Sequence, residues 1–485
     1  MKPSLLTTLL LCNSLLGFAQ EPVDRVIIAK IRDEGLHRSQ AHKTFTHFTE
    51  VIGPRLTATP AYKTAAEYAQ GKLKEWGLEN PRLEARDFGR GWALEKLTVE
   101  MVEPRYMPLI GYAEAWSAST AGELTATPLY LGDKTQEALE QMRGKLKGAI
   151  VLSQPLQTSF ERADRPQPTS FDHPVAIGQP RPPAGSAPFI TPQNMAKLLR
   201  ETGAGVILRP NRGEHGTLFV LGRDNGAAAL PSVVLSAEHY NMLVRMIELG
   251  VQIKLRVNVQ TKFLTDDQNG YNVLTELPGS DWRDEVVMIG AHLDSWHSSP
   301  GATDNADGAA VALEAMRILK AIGAKPRRTI RMALWGGEEQ GLHGSRKYVE
   351  KYLAGDANKT ARDKFAGYFN LDPGAGPIYG WYLENNEAVK PIFDAWLEPF
   401  KDLGARRNIL QGIGNTDHLS FTRAGLPGFN PVQDYVDYDV RTHHTNMDTF
   451  ERVKADDLKQ CAIVLASFAY HAAMRTEKIP LSSSK

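Results

Sequence analysis

Cysteine is nearly absent from this sequence of 485 residues: Cys12 falls in the N-terminal segment and Cys461 stands alone in the rest. The body of the chain therefore closes no internal disulfide, and its stability has to come from a packed core. Net charge is absent too. With 56 basic against 56 acidic residues, nothing in the charge balance asks for nucleic acid or an anionic membrane surface. Beyond the N-terminal segment no apolar run approaches the roughly 18 residues of a membrane-spanning helix. No repeat of solenoid period and no coiled-coil heptad is found either. What is present, 42% apolar and 23% charged residues, describes a soluble globular protein too long for one ordinary domain.

The N-terminus has its own pattern. Lys2 precedes an apolar stretch from Leu5 to Leu16, and Gly17-Phe18-Ala19-Gln20 offers small residues ahead of Glu21. A short positive region, an apolar core and such a site predict a secretory signal peptide over 1–20. The mature protein is then secreted or periplasmic, with no membrane span. Cys461 sits in the helical pattern Leu458 to Leu465 and reads as a core residue rather than a nucleophile.

Three stretches follow. Residues 21–112 are helix-rich, and Ala65, Tyr68, Ala69, Leu73 and Trp76 repeat at helical spacing between Pro60 and Gly77. Residues 113–265 carry short strand-like runs and a strict alternation from Val251 to Val259. They also hold a proline-rich stretch, Pro166 to Pro192, too long for a simple connection. This middle stretch reads as a domain inserted into the first. From 266 to 485 buried strands alternate with helices: Val286 to Ile289, a helix from Gly308 to Ile322, Thr329 to Trp335, Tyr368 to Leu371. That rhythm predicts an α/β fold with a mixed, mostly parallel sheet flanked by helices on both faces.

In such sheets ligands bind at the carboxyl ends of strands. There this sequence collects acids and imidazoles: His292 and Asp294, then Asp304, then Glu338 and Glu339, then Asp372, and late in the chain His443, His444 and Asp448. Glycines at 290, 301, 308, 336 and 337 allow sharp turns among them. Burying these acids together costs several kcal/mol per unpaired charge unless divalent ions offset it. Imidazole with carboxylate and no thiolate suits zinc, with cobalt or manganese as substitutes. Two histidines and several carboxylates are enough for two ions sharing one bridging carboxylate.

These motifs, in this order, resemble the co-catalytic dizinc exopeptidases that include bacterial leucyl aminopeptidases, glutamate carboxypeptidase and carboxypeptidase Q. The resemblance covers nearly the whole chain: Gly53-Pro54-Arg55-Leu56 looks like the family's N-terminal segment and Asn272 to Gly279 like its opening strand. It implies a zinc exopeptidase fold whose insert is a β-rich protease-associated domain. Carried over by position, His292 and Asp372 are ligands of a first zinc, Asp304 bridges, and Glu339 and His444 bind the second. Glu338 is the general base, and Asp294 hydrogen-bonds the other nitrogen of His292. Asp448 has a similar supporting role, and the preference for His444 over His443 rests on the spacing to Asp448. The implied cofactors are two zinc ions per chain and the implied substrates small peptides, with a homodimer compatible.

Gly412 to His418 and Tyr435 to Tyr438 fall where substrate contacts lie in that family. Tyr438 is an oxyanion candidate or a packing residue, and Arg423 and Arg441 are candidates for holding a substrate carboxylate. Nothing in the spacing of His297 and His343 makes them ligands. A non-catalytic receptor-like ectodomain of the same fold would have lost the ligands found here. A glutaminyl cyclase would work with one zinc, and the presence of both His292 and Asp372 favours a two-metal hydrolase. Another dizinc family places its bridging aspartate much further along the chain. Amino- versus carboxypeptidase polarity stays open.

Overall fold

The computed structural model describes residues 21–166, 192–372 and 374–482. The signal segment 1–20 and nearly all of the proline-rich stretch therefore lie outside the described residues.

The strand order of the main sheet is Glu79–Asp87, Asn269–Leu277, Arg328–Trp335, Trp282–His292, Phe365–Asn370, Gly428–Asp434, Ala375–Tyr382. The four strands from Arg328–Trp335 to Gly428–Asp434 run parallel. Both flanks are antiparallel. The parallel character is thus concentrated in the centre, where strands are covered on both faces and read as continuous apolar runs such as Val287-Met288-Ile289. One face is covered by helices Arg25–His37, Pro60–Glu75, Asp307–Ala321 and Ala455–Met474. The other packs Tyr348 and Phe421, from helices His343–Tyr352 and His418–Thr422, onto Met288, Trp335 and Tyr368.

Local signals explain several boundaries. Thr59 caps Pro60–Glu75, its hydroxyl accepting the Tyr62 N–H at 3.3 Å, and Pro60 opens the first turn. Helix Asp307–Ala321 begins one residue before the expected Gly308. Cys461 is buried inside helix Ala455–Met474. No described helix is long and apolar enough to cross a membrane.

The middle of the chain builds two further sheets. Gly91–Glu103 pairs antiparallel with Lys254–Leu264 in a four-stranded sheet. The alternation expected from Val251 appears as buried Leu255, Val257 and Val259. A five-stranded sheet (Gly111–Ala113, Ser232–Leu235, Val206–Pro210, Ile150–Leu152, Leu129–Tyr130) is parallel in all but its first pair. With helices Gln136–Met142, Pro192–Thr202 and Ala237–Glu248 it makes this unit α/β rather than simply strand-rich. Trp92 and Met101 share its core with Val206, Leu235 and Val257.

Candidate metal centre

Parallel register sets the site. His292 ends strand Trp282–His292 directly beside Trp335, the last residue of Arg328–Trp335. The two chain segments leaving these strand ends are stitched by Asp294. Its Oδ1 accepts the N–H of Glu338 and its Oδ2 the N–H of Glu339, each at 3.2 Å. On the other side, Leu371 donates its N–H to the Gly290 carbonyl at 2.9 Å, which brings Asp372 up to His292. Gly301 (φ 60°) and Gly337 (φ 73°) take left-handed conformations in the connecting loops. Gly290, Gly308 and Gly336 do not, and their smallness serves close approach: a Cβ at Gly290 would stand 2.4 Å from the Ala333 carbonyl oxygen.

Asp304 lies in the loop before helix Asp307–Ala321, oriented by Asp448. The Asp448 carboxylate accepts the Thr303 N–H (2.8 Å), the Thr303 hydroxyl (2.9 Å) and the Asp304 N–H (3.1 Å). Thus held, Asp304 faces two histidines with its two oxygens: Oδ1 is 3.1 Å from His292 Nε2 and Oδ2 is 3.3 Å from His444 Nε2. Asp372 Oδ2 is 3.7 Å from His292 Nε2, and Glu339 Oε2 is 2.9 Å from His444 Nε2. The expected ligands therefore fall into two groups meeting at Asp304. Donor atoms of Asp304, His443 and His444 also lie within 4.8 Å of one another. The His443 ring, however, stacks on Tyr438 at 5.0 Å and its Nδ1 is 3.9 Å from Asp439, whereas His444 is the one at Glu339.

The donor set tests whether metal fits. His292 Nε2, Asp304 Oδ2 and Glu339 Oε1 are buried without a hydrogen-bond partner, although carboxylate and imidazole atoms crowd around them. Close approach without hydrogen-bond geometry is what ligand atoms converging on a shared cation show. The electrostatics agree. Burial, then the charges of Asp372, Asp417 and Glu339, push Glu338 well above the usual carboxylate range against the pull of His292. Burial and Asp304 do the same to Glu339. Burial draws His292 down, but Glu338, Asp294 and Asp304 outweigh it and hold the imidazole well above its ordinary value. Burial raises Asp304, yet the close approach of the His292 imidazole and the His444 charge leave it lowered.

Some sequence expectations are placed differently. The His292 Nδ1 contact is the main-chain carbonyl of Asp294 at 2.9 Å, while the Asp294 carboxylate stands at 3.7 Å. Thr416, Asp417 and His418 are buried behind the ligands; Thr416 accepts a hydrogen bond from Asn370. Arg441 is engaged by the middle unit, and Arg423 is exposed at the end of helix His418–Thr422. Tyr438 is buried, its hydroxyl pushed well above its usual pKa by burial and by Asp304 and Asp372. His297 binds the Ala113 carbonyl at 2.7 Å and packs on Trp92. His343 is half-buried against Phe88. A cavity of 460 Å³ lies apart, within the middle unit, lined by Glu114, Gln154, Leu199 and Arg209.

Arg55 was missed as a functional residue although its motif was singled out. Its guanidinium is fully buried beneath the site and donates to the carbonyls of Leu293 (2.8 Å), Gly53 (3.0 Å), Pro300 (2.6 Å) and Gly301 (3.1 Å). It thereby holds the segment 293–301 between two ligand-bearing elements. An arginine in a polar-looking tetrapeptide gives no signal of such burial.

Residues 272–469 match the profile of peptidase family M28. Carboxypeptidase Q of Mus musculus is 25% identical over 452 residues, spanning 92% of this chain and 88% of that protein. Aminopeptidase YwaD of Bacillus subtilis (strain 168) is 23% identical over 454 residues, 92% of this chain and 87% of its own. Among solved structures, a peptidase M28 precursor from Shewanella amazonensis superposes with a TM-score of 0.70 at 23% identity, covering 95% of this chain and 99% of its own. A zinc aminopeptidase from Bacillus subtilis gives 0.61 at 21% identity, covering 91% and 96%. With the matched segment containing every residue of the metal cluster and the relatives spanning the rest, the chain resembles peptidase family M28 over nearly its whole length and is a metallopeptidase.

Proposed function

We propose that this chain is a secreted exopeptidase that holds two zinc ions and removes terminal residues or dipeptides from small peptides. The observation that carries the reading is the two-sided contact of Asp304, one oxygen toward His292 and the other toward His444. In this reading His292 and Asp372 hold one ion, Glu339 and His444 the other, and Asp304 bridges. Bound zinc supplies Lewis acidity and brings the pKa of water toward about 7.

The chain's own residues do the rest. The Glu338 carboxylate takes the proton of the attacking water and returns it to the leaving amine. Buried next to Glu339, with its N–H held by Asp294, it is placed to both accept and release a proton. Asp294 fixes the backbone beneath it, and Asp448 and Arg55 fix the loops that bring the carboxylates together. Export rests on the pattern of 1–20, which places the mature N-terminus at Glu21.

Two measurements test this. Glu338→Gln is expected to lower kcat by about 10²–10⁴ with two zincs still bound; undiminished turnover at equal zinc content refutes the assignment. The zinc-loaded protein is also given a free tripeptide and its N-acetylated and C-amidated forms. Loss of cleavage only on acetylation defines an aminopeptidase, loss only on amidation a carboxypeptidase. Hydrolysis of none of the three removes the exopeptidase reading.

A further inference from the structure

Four of the five proposed ligands are positioned from within the catalytic unit, by strand ends and by Asp294 and Asp448. His444 is different. It sits at φ 62°, a left-handed conformation uncommon for a residue with a side chain, and its loop is held from the far side by the middle unit.

The contacts across this seam are continuous. The His444 carbonyl accepts the N–H of Val220 at 3.0 Å. Phe219 and Thr445 form an antiparallel bridge. Asn446 makes three bonds to the same segment: its N–H donates to the Leu218 carbonyl (3.1 Å), its Oδ1 accepts the Leu218 N–H (2.7 Å), and its Nδ2 donates to the Gly216 carbonyl (3.3 Å). Arg441 donates to the Glu214 carbonyl (3.1 Å) and the Thr217 hydroxyl (2.9 Å). At the start of the loop Asp164 accepts the N–H of Asp437 (2.7 Å) and of Val440 (3.1 Å). Beside it Arg165 donates Nε to Asp439 Oδ2 at 2.8 Å.

We infer that the middle unit is a working part of the metal centre: its segment 214–220 positions His444 through Asn446 and so sets how tightly the second zinc is held. The inference rests on the dizinc reading for its zinc term, and on the seam alone for the order of the loop. Removing the Asn446 side chain deletes two of its three bonds and leaves the left-handed turn at His444 less determined. The affected ion is the one shared by His444 and Glu339; among the described residues no hydrogen bond or ion pair joins His292 or Asp372 to the segment 214–220.

The test uses the full chain. Asn446→Ala and Asn446→Asp are compared with wild type and with Arg90→Ala, which breaks an ion pair to Asp224 (2.8 Å) away from the His444 loop. Zinc release is followed against a chelator of graded concentration, and backbone hydrogen exchange is measured on the zinc-free proteins. Asn446→Ala is expected to hold one zinc at least tenfold more weakly and the other within twofold. Its exchange should quicken at 437–446 and at Val220, with Asn446→Asp intermediate because an acceptor oxygen remains. Arg90→Ala should match wild type in both. Equal retention of both zincs with unchanged exchange overturns the inference, as does parallel loss of both zincs or the same pattern in Arg90→Ala. A wild type that binds fewer than two zincs sinks the dizinc reading instead, and exchange at 437–446 then decides whether the middle unit orders this loop.

Discussion

Replacing Asp294 by asparagine separates two roles for this carboxylate. Asp294 is fully buried, and its two oxygens each accept one backbone N–H, those of Glu338 and Glu339, at 3.2 Å. The His292 Nδ1 is served by the Asp294 main-chain carbonyl at 2.9 Å, which the substitution leaves in place. Asparagine has the same shape but offers one acceptor and one NH2 group. One of the two N–H donors then faces another donor and stays buried without a partner. A hydrogen bond to a charged acceptor contributes about 1.5–3 kcal/mol, and an orphaned buried donor costs about 1–3 kcal/mol. Loss of one negative charge among neighbouring acids offsets part of this, which leaves an expected destabilisation of about 2 kcal/mol. Because the loosened turn carries both Glu338 and Glu339, zinc affinity should fall by about 10–100-fold. Urea unfolding of the zinc-free protein, followed by tryptophan fluorescence, and a zinc competition titration read the two effects. If the variant stays within about 0.5 kcal/mol of wild type and binds zinc as tightly, the clamp assigned to this carboxylate is refuted.

Arg55→Met should cost about 3–5 kcal/mol in the same unfolding assay, since the carbonyls of Leu293, Gly53, Pro300 and Gly301 lose their donor; a loss below about 1 kcal/mol would contradict the role given to that guanidinium. His297 has its pKa pulled down to about 4 by burial. The unfolded chain thus binds the extra proton between about pH 6.5 and 4, so this residue's contribution is complete above the unfolded value and is lost as pH falls through the folded one, about 3 kcal/mol in all. His297→Gln should flatten the stability profile over that window, and an unchanged slope would contradict the assignment. Burial also pushes the Cys461 thiol well above its ordinary value, so a disulfide-exchange reagent should label it only after denaturation. Labelling of the native protein at the rate of a free thiol would place Cys461 outside the core.

The elements that were readable are those whose pattern is local. The catalytic strands are buried on both faces and therefore appear as short apolar runs ending in polar residues, and helix Pro60–Glu75 carries its cap and opening proline in adjacent positions. Strand Gly91–Glu103 was not separable from the helix-rich stretch before it. Its partner is Lys254–Leu264, more than 150 residues away, and a pairing over that distance leaves no periodic mark in either segment alone. A change in texture near Ala113 is visible in the sequence, while the sheet that joins Gly91–Glu103 to the middle unit begins earlier.

The same division runs through the metal centre. His292, Glu339 and Asp372 could be named from the sequence because each ends or follows a strand, where chain direction and parallel register leave little freedom in where a side chain emerges, whereas Asp304 and His444 were named through the family resemblance. The contacts that hold them could not, although Asp294 and Asp448 were expected in supporting roles. Asp294 acts through two backbone N–H groups 44 and 45 residues away, Arg55 through four carbonyls, and Asn446 through a segment of another unit. Backbone donors and acceptors are the same at every residue, so no motif announces which of them a side chain will meet. What the sequence carries is the list of proposed ligands; how rigidly each is held depends on contacts that form only once distant segments have folded against one another. Those contacts differ among the ligands. His292 ends a strand of the sheet and Asp372 is carried by the strand beside it, whereas His444 depends on a seam between two units, and that difference is why the two halves of the proposed metal centre are expected to respond unequally to the same kind of substitution.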